Sequence, residues 1–270
     1  MIRATPNGML LNRMALGPVE IHEDFKRPFW TAWELPAYAE PIGWIANTPW
    51  NGNFGLGRYS QPGDGNHGIS FNDPEYGGLK LSLYHDREWH AGLLSSVDRN
   101  GRGFAREEGY WEIIAKLPEG QGPWFAFWLA TTLSPNAVGK YVATELDVIE
   151  DYGKWPDVYH FSYHLWNAGG AQPENVELYV HDSDQHIWVE PKDLLTTRFN
   201  RFGILVDADW VRSYRNDVQV TIHPRNQFTR FPMCTIINLV GGGADGRNDP
   251  PDGSGPFDAH VTAFTYRPLR

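Results

Sequence analysis

The segment Glu145-Leu-Asp-Val-Ile-Glu150 sets three carboxylates among branched apolar residues. That composition reads as a β-strand with one acidic face and one buried face. Side chains on a strand alternate, so Glu145 and Asp147 share a side. Glu150 lies five positions beyond Glu145, and a regular strand would turn it inward beside Leu146 and Val148, where an unpaired charge is expensive. One extra residue bulged out at Val148-Ile149 restores the parity and gathers all three acids on one face. Strand stability has no use for clustered like charges. Hydrolysis of a glycosidic bond does: retaining glycosidases hold two carboxyl groups about 5–5.5 Å apart, one a nucleophile and the other an acid/base. Four effective positions on a strand span about 13 Å between Cα atoms, a gap that two glutamates leaning together largely close. Asp147 then sits between them, placed to share a proton or hydrogen bond with Glu145. A solvated acidic edge strand is the other reading of this pattern.

The surroundings favour the chemistry. Glu145-Leu-Asp-Val-Ile-Glu150 resembles the bulged active-site signature of glycoside hydrolase family 16, as found in its laminarinase-like, agarase and carrageenase branches. Upstream, Gly109-Tyr-Trp-Glu-Ile-Ile-Ala-Lys-Leu-Pro118 and Gly120-Gln-Gly-Pro-Trp-Phe-Ala-Phe-Trp128 resemble the two strands that precede the catalytic one. Downstream, Ile237-Asn-Leu-Val-Gly-Gly-Gly243 resembles a late Asn-Leu-Gly-Gly segment, and Thr48-Pro-Trp-Asn-Gly-Asn-Phe-Gly55 resembles bacterial members linked to exopolysaccharide breakdown. The resemblance runs from about Glu23 to Tyr266. It implies an all-β fold, a β-jelly-roll sandwich of two antiparallel sheets with an open concave cleft. It also implies a nucleophile at Glu145, an assisting acid at Asp147 and an acid/base at Glu150.

Elements that must position these acids are visible as short β-rich runs from residue 79 onward. They are Leu79–Tyr84, Tyr110–Leu117, Trp124–Ala130, Thr144–Glu150, Val158–His164, Val176–Val180, Ile187–Glu190, Phe202–Val206, Val218–Ile222, Thr235–Val240 and Ala259–Tyr266. Gly, Pro and Asn between them, with no sustained helical periodicity, favour a sandwich over a parallel α/β sheet. The simplest organisation is an irregular N-terminal arm over residues 1–20 and a single catalytic jelly-roll over 21–270. Two long loops, Trp44 to Asn72 and Gly241 to Phe257, are candidates for cleft walls; the second is equally well a surface excursion.

Sugar rings offer apolar C–H faces ringed by hydroxyls, so their sites pair flat aromatics with polar groups. Trp124 and Trp128 lie four apart on one strand and therefore on one face, Trp124 lining the cleft and Trp128 serving either cleft or core. Trp89, Asn53, Trp155 and Trp166 are further substrate-binding candidates, each with packing as its alternative. His164 matches a family histidine near the acid/base, and a satisfied structural histidine is the competing reading. Ten histidines invite a metal site, but His160 and His164 are four apart on a strand and no cysteine or third histidine stands at zinc-ligand spacing. No metal ligand set is assigned and no cofactor is required. Calcium on the convex face is in doubt, because Thr262 stands where family members carry an aspartate in the last strand.

Composition narrows the partners. A net charge of −10 argues against nucleic acid or an anionic membrane. The single cysteine, Cys234, leaves the fold to rest on its core rather than on an intrachain disulfide. No run is long and apolar enough for a transmembrane helix, and Met1 to Glu20 carries no long apolar leader core. The expectation is a secreted or periplasmic monomer whose signal peptide is absent from this chain, with a cytoplasmic location also open. The function expected is a retaining endo-β-glycanase acting on a polysaccharide or oligosaccharide, either a β-1,3-type glucan or a bacterial exopolysaccharide. A lectin-like carbohydrate-binding module and a transglycosylase are the alternatives on the same fold.

Overall fold

The structure is a computed structural model that describes residues 3–4, 8–36, 42–65, 68–131, 143–166, 185–225, 229–243, 249–253 and 255–270. Two layers of mainly antiparallel strands make up these residues. One sheet runs Gln185–Trp188, Val158–Trp166, Ala143–Asp151, Pro123–Thr131, Met233–Gly241 and Trp89–Ser95, with the short strands Gly43–Ile45 and Phe29–Thr31 beyond. The other runs Val218–Pro224, Trp210–Arg215, Asn200–Val206, Gly109–Lys116 and Phe257–Arg267, the last flanked by Leu79–His85 and Ile21–Glu23. The architecture is the β-jelly-roll expected from the sequence.

Period-two alternation builds the core. Phe125, Phe127 and Leu129 of one strand and Leu239 and Ile237 of its neighbour point inward, against Trp111, Ile113, Phe202, Ile204 and Phe264 of the other sheet; all are buried. Each such side chain contributes about 1.5–3 kcal/mol of hydrophobic stabilisation. All the sequence-predicted strands within the described residues are present, and Val176–Val180 lies outside them. Two longer strands were not expected. Trp89–Ser95 carries a mid-strand glycine, and Trp210–Arg215 turns Ser213 and Arg215 toward the interior, so neither shows a clean apolar alternation.

The N-terminal segment from residue 8 is largely irregular but docked. Leu11 and Leu16 cover Tyr110 and Tyr214 on the outer side of the second sheet, and Arg13 bonds to Glu112 at 2.7 Å and to Asp217 at 2.5 Å. Backbone bonds from Leu11 to Asp217 and from Gly17 to Pro268 hold its course.

Candidate active site

The register of the acidic strand answers the parity problem. Ala130, Trp128 and Ala126 of one neighbour pair with Glu145, Asp147 and Glu150, and on the other side so do His164, Ser162 and His160. Residues 126, 128 and 130 alternate regularly, so all three acids share their face. Between Asp147 and Glu150 the strand takes three steps while its partner takes two, which is the one-residue bulge expected at Val148-Ile149. Leu146 and Ile149 are fully buried on the opposite, core side.

Glu150 is gripped from several directions. Its Oε1 accepts from the indole Nε1 of Trp124 at 3.1 Å and from the Tyr152 hydroxyl at 3.4 Å, and its Oε2 accepts from Ser162 Oγ at 3.1 Å. The Tyr152 ring lies edge-on to His160 at 4.8 Å, and His160 to His186 at 4.3 Å, which extends an aromatic surface from the glutamate toward the sheet edge. Glu145 sits in a different setting. It is only half-buried, and its neighbours are the buried Asp147 and His164, whose Nε2 is 3.4 Å from Asp147 Oδ2. One carboxylate is thus held by neutral donors, while the other stands beside an acid and an imidazole.

Trp124 and Trp128 both lie on the acidic face, but they differ in depth. Trp124 is partly exposed beside Glu150; Trp128 is buried, its Nε1 donating to Asn238 Oδ1 at 2.8 Å. What covers Trp128 is the loop that follows Trp44: the Trp50 ring is 5.9 Å from it, and Phe54 packs on Trp128 at 5.9 Å and on Trp124 at 5.8 Å. Leu56 ties this loop to Gly241 through a pair of backbone hydrogen bonds. At Gly55, with a φ of +64°, a Cβ would come within 2.5 Å of Val240, so only glycine lets the loop lie this close. The loop is therefore a wall of the site, as its length and aromatic content suggested. Asn53 and Trp50 are exposed on it.

The other candidates are spread more widely. Trp155 is half exposed in the turn after the acidic strand, with Lys154 over its ring and that lysine paired to Asp249 of the second loop at 2.6 Å. This loop also bonds through Asp252 and Pro250 to Gln121, so it borders the same end of the sheet. Trp89 packs on His85 across the turn that links the two sheets. Trp166 ends its strand opposite Ala143. Sequence reasoning did not single out Tyr152, Ser162, Asn238 or the functional position of His160. Tyr152 shared a face with Glu150 by simple alternation, but the others needed the cross-strand register. Thr262, in the calcium-linked position, donates its hydroxyl to Ile114 O at 3.4 Å and offers no carboxylate, so this residue does not fit that ion.

Solved structures share this architecture. SCLam, described as a non-specific endo-β-1,3(4)-glucanase from family GH16, superposes with a TM-score of 0.72 over 99% of this chain and 97% of that one, at 16% identity. The fold is that of glycoside hydrolase family 16. The catalytic domain of an endo-1,3-β-glucanase (laminarinase) from Thermotoga petrophila aligns likewise, with a TM-score of 0.68 over 94% of this chain and 98% of that domain, at 17% identity. Among curated proteins, the endo-1,3-1,4-β-glycanases EglC and ExsH of Rhizobium meliloti are 27% and 26% identical over 169 and 180 residues. Those segments cover 62% and 66% of this chain but only 30% and 34% of the two relatives, so the chain spans about a third of their length. No protein-family profile matches the chain.

Proposed function

We propose that this family 16 fold is a retaining endo-β-glycanase, with Glu145 as nucleophile, Asp147 as its assistant and Glu150 as acid/base. The observation that carries the reading is the bulged register, which brings all three acids to one face with Glu150 held by Trp124. Glu145 attacks the anomeric carbon while Glu150 protonates the departing oxygen, and a glycosyl-enzyme forms. Glu150, now a carboxylate, draws a proton from water, which attacks the same carbon and releases the sugar with its original configuration. Trp124 serves twice, as a flat surface for a sugar ring and as the donor that orients Glu150.

The substrate proposed is a β-1,3- or mixed β-1,3-1,4-linked glucan or a bacterial exopolysaccharide. The activities for which the relatives are named support the first two, and the Thr48–Gly55 resemblance supports the third. Such polymers are met outside the cytoplasm, which supports a secreted or periplasmic site of action. No helix among the described residues is long and apolar enough to cross a membrane.

The test is a polysaccharide panel with product sizing, and NMR of the anomeric proton during hydrolysis. Internal cleavage with retention is the expected result. Inversion would remove the double displacement, and binding without cleavage across the panel would leave a lectin-like module. Products longer than the starting oligosaccharide would identify a transglycosylase.

A further inference from the structure

Two histidines four apart on a strand do not make a metal site by sequence spacing, but the sheet register adds what spacing lacks. Glu145 pairs directly with His164 across the strands, and Asp147 stands two residues along on the same face. One oxygen from each acid and a ring nitrogen of His164 all lie within 4.8 Å of one another. We propose that Glu145, Asp147 and His164 form a binding site for a transition-metal cation of the zinc or copper type, and that such an ion blocks the catalytic centre. The inhibitory part rests on the function proposed above; the binding part does not.

The geometry is close to what the ion needs. Zinc takes nitrogen and oxygen ligands at about 2.0–2.2 Å in a tetrahedron, which sets its donors about 3.3 Å apart. His164 Nε2 and Asp147 Oδ2 already stand at 3.4 Å. Asp147 is buried and its position is fixed by the sheet, and the half-buried Glu145 brings a carboxylate oxygen within 4.8 Å of both other donors. The imidazole separates this triad from a simple acidic cluster, since it favours zinc and copper over calcium or magnesium, which ask for more oxygen ligands. Three protein donors leave one position for water. An ion held there occupies an oxygen of the nucleophile and fills the space that the sugar must enter, so it competes with substrate.

Isothermal titration of the untagged full chain with zinc chloride tests the binding directly. One saturable zinc per chain is expected, with no comparable heat from calcium or magnesium. Glu145→Gln, Asp147→Asn and His164→Gln should each weaken it at least tenfold, while His22→Gln, an exposed histidine on the other sheet, should not. Circular dichroism establishes that each variant is folded. Absence of a stoichiometric site, or binding that persists in all three variants, overturns the proposal. In the hydrolysis assay zinc should raise KM without lowering kcat. Zinc that binds the triad and inhibits noncompetitively overturns the blocking role alone, and a chain that binds zinc but cleaves no glycan counts against the glycanase reading alone.

Discussion

The indole N–H of Trp124 meets Glu150 Oε1 at 3.1 Å from the neighbouring strand, so the carboxylate proposed as acid/base and the ring proposed to stack on a sugar are set by one contact. A hydrogen bond to a charged group contributes about 1.5–3 kcal/mol, a factor of roughly 10–160 in rate if it acts at the transition state. Trp124→Phe keeps most of the aromatic surface and removes the donor. Its kcat on polysaccharide should fall at least tenfold with a smaller change in KM, and activated aryl glycosides should suffer less. A rise in KM alone would reduce Trp124 to a stacking surface.

The two glutamates should separate by chemical rescue. With Glu145→Ala no glycosyl-enzyme forms, and azide restores turnover by direct attack, giving an inverted glycosyl azide. With Glu150→Ala, substrates with good leaving groups still form the intermediate, and azide releases a product of retained configuration. NMR of the azide products distinguishes the two, and opposite outcomes would exchange the assigned roles.

Asp151, next in sequence to Glu150, turns to the core, where burial holds its carboxyl well above the usual carboxylate range. The folded protein then keeps a proton that the unfolded chain releases above about pH 4, so the penalty from this one group is absent below that pH and grows as pH rises. Asp151→Asn keeps the shape and removes the charge. Its melting temperature should exceed that of the wild type at pH 8 and converge with it near pH 4; a variant less stable at both pH values would refute this.

His223 acts with the opposite sign. It stacks on Phe161 at 5.4 Å, lies 2.9 Å from Thr221 Oγ1, and is pushed down to about 4 by burial. The unfolded chain gains a proton below the ordinary value of 6.5 while the folded one does not. Stability is therefore whole above pH 6.5 and erodes toward pH 4, by up to about 3 kcal/mol. Denaturant titrations of His223→Gln should show a flatter profile across that window.

How much of this was legible depends on where the information resides. Alternation along one strand is written in the sequence, and with it came the bulge, the shared face of the acids and that of Trp124 and Trp128. Contacts between strands are not. Ser162 and His160 reach Glu150 only through a register set by the bulge itself, and Asn238 lies 110 residues from the tryptophan it holds. Trp128 shows the limit well: its face was predictable, but its burial comes from Trp50 and Phe54, whose loop has no periodicity to read. Trp210–Arg215 was missed for the converse reason, since polar residues occupy its inward positions.

The bulge has a mechanical consequence. Upstream of Val148 the acidic strand is locked to its neighbours in one phase, and downstream in another. Glu145 and Glu150 are thus the jaws of a caliper whose opening is fixed by backbone hydrogen bonds on both flanks, not by side-chain choice. Sliding the strand bodily would break both ladders at once, so thermal motion along its axis cannot change the gap cheaply. Removing one residue at the bulge would reset the opening in a single step while leaving an acid at each jaw. Strand length, more than residue identity, is then the coordinate along which the separation of the two carboxylates can be tuned.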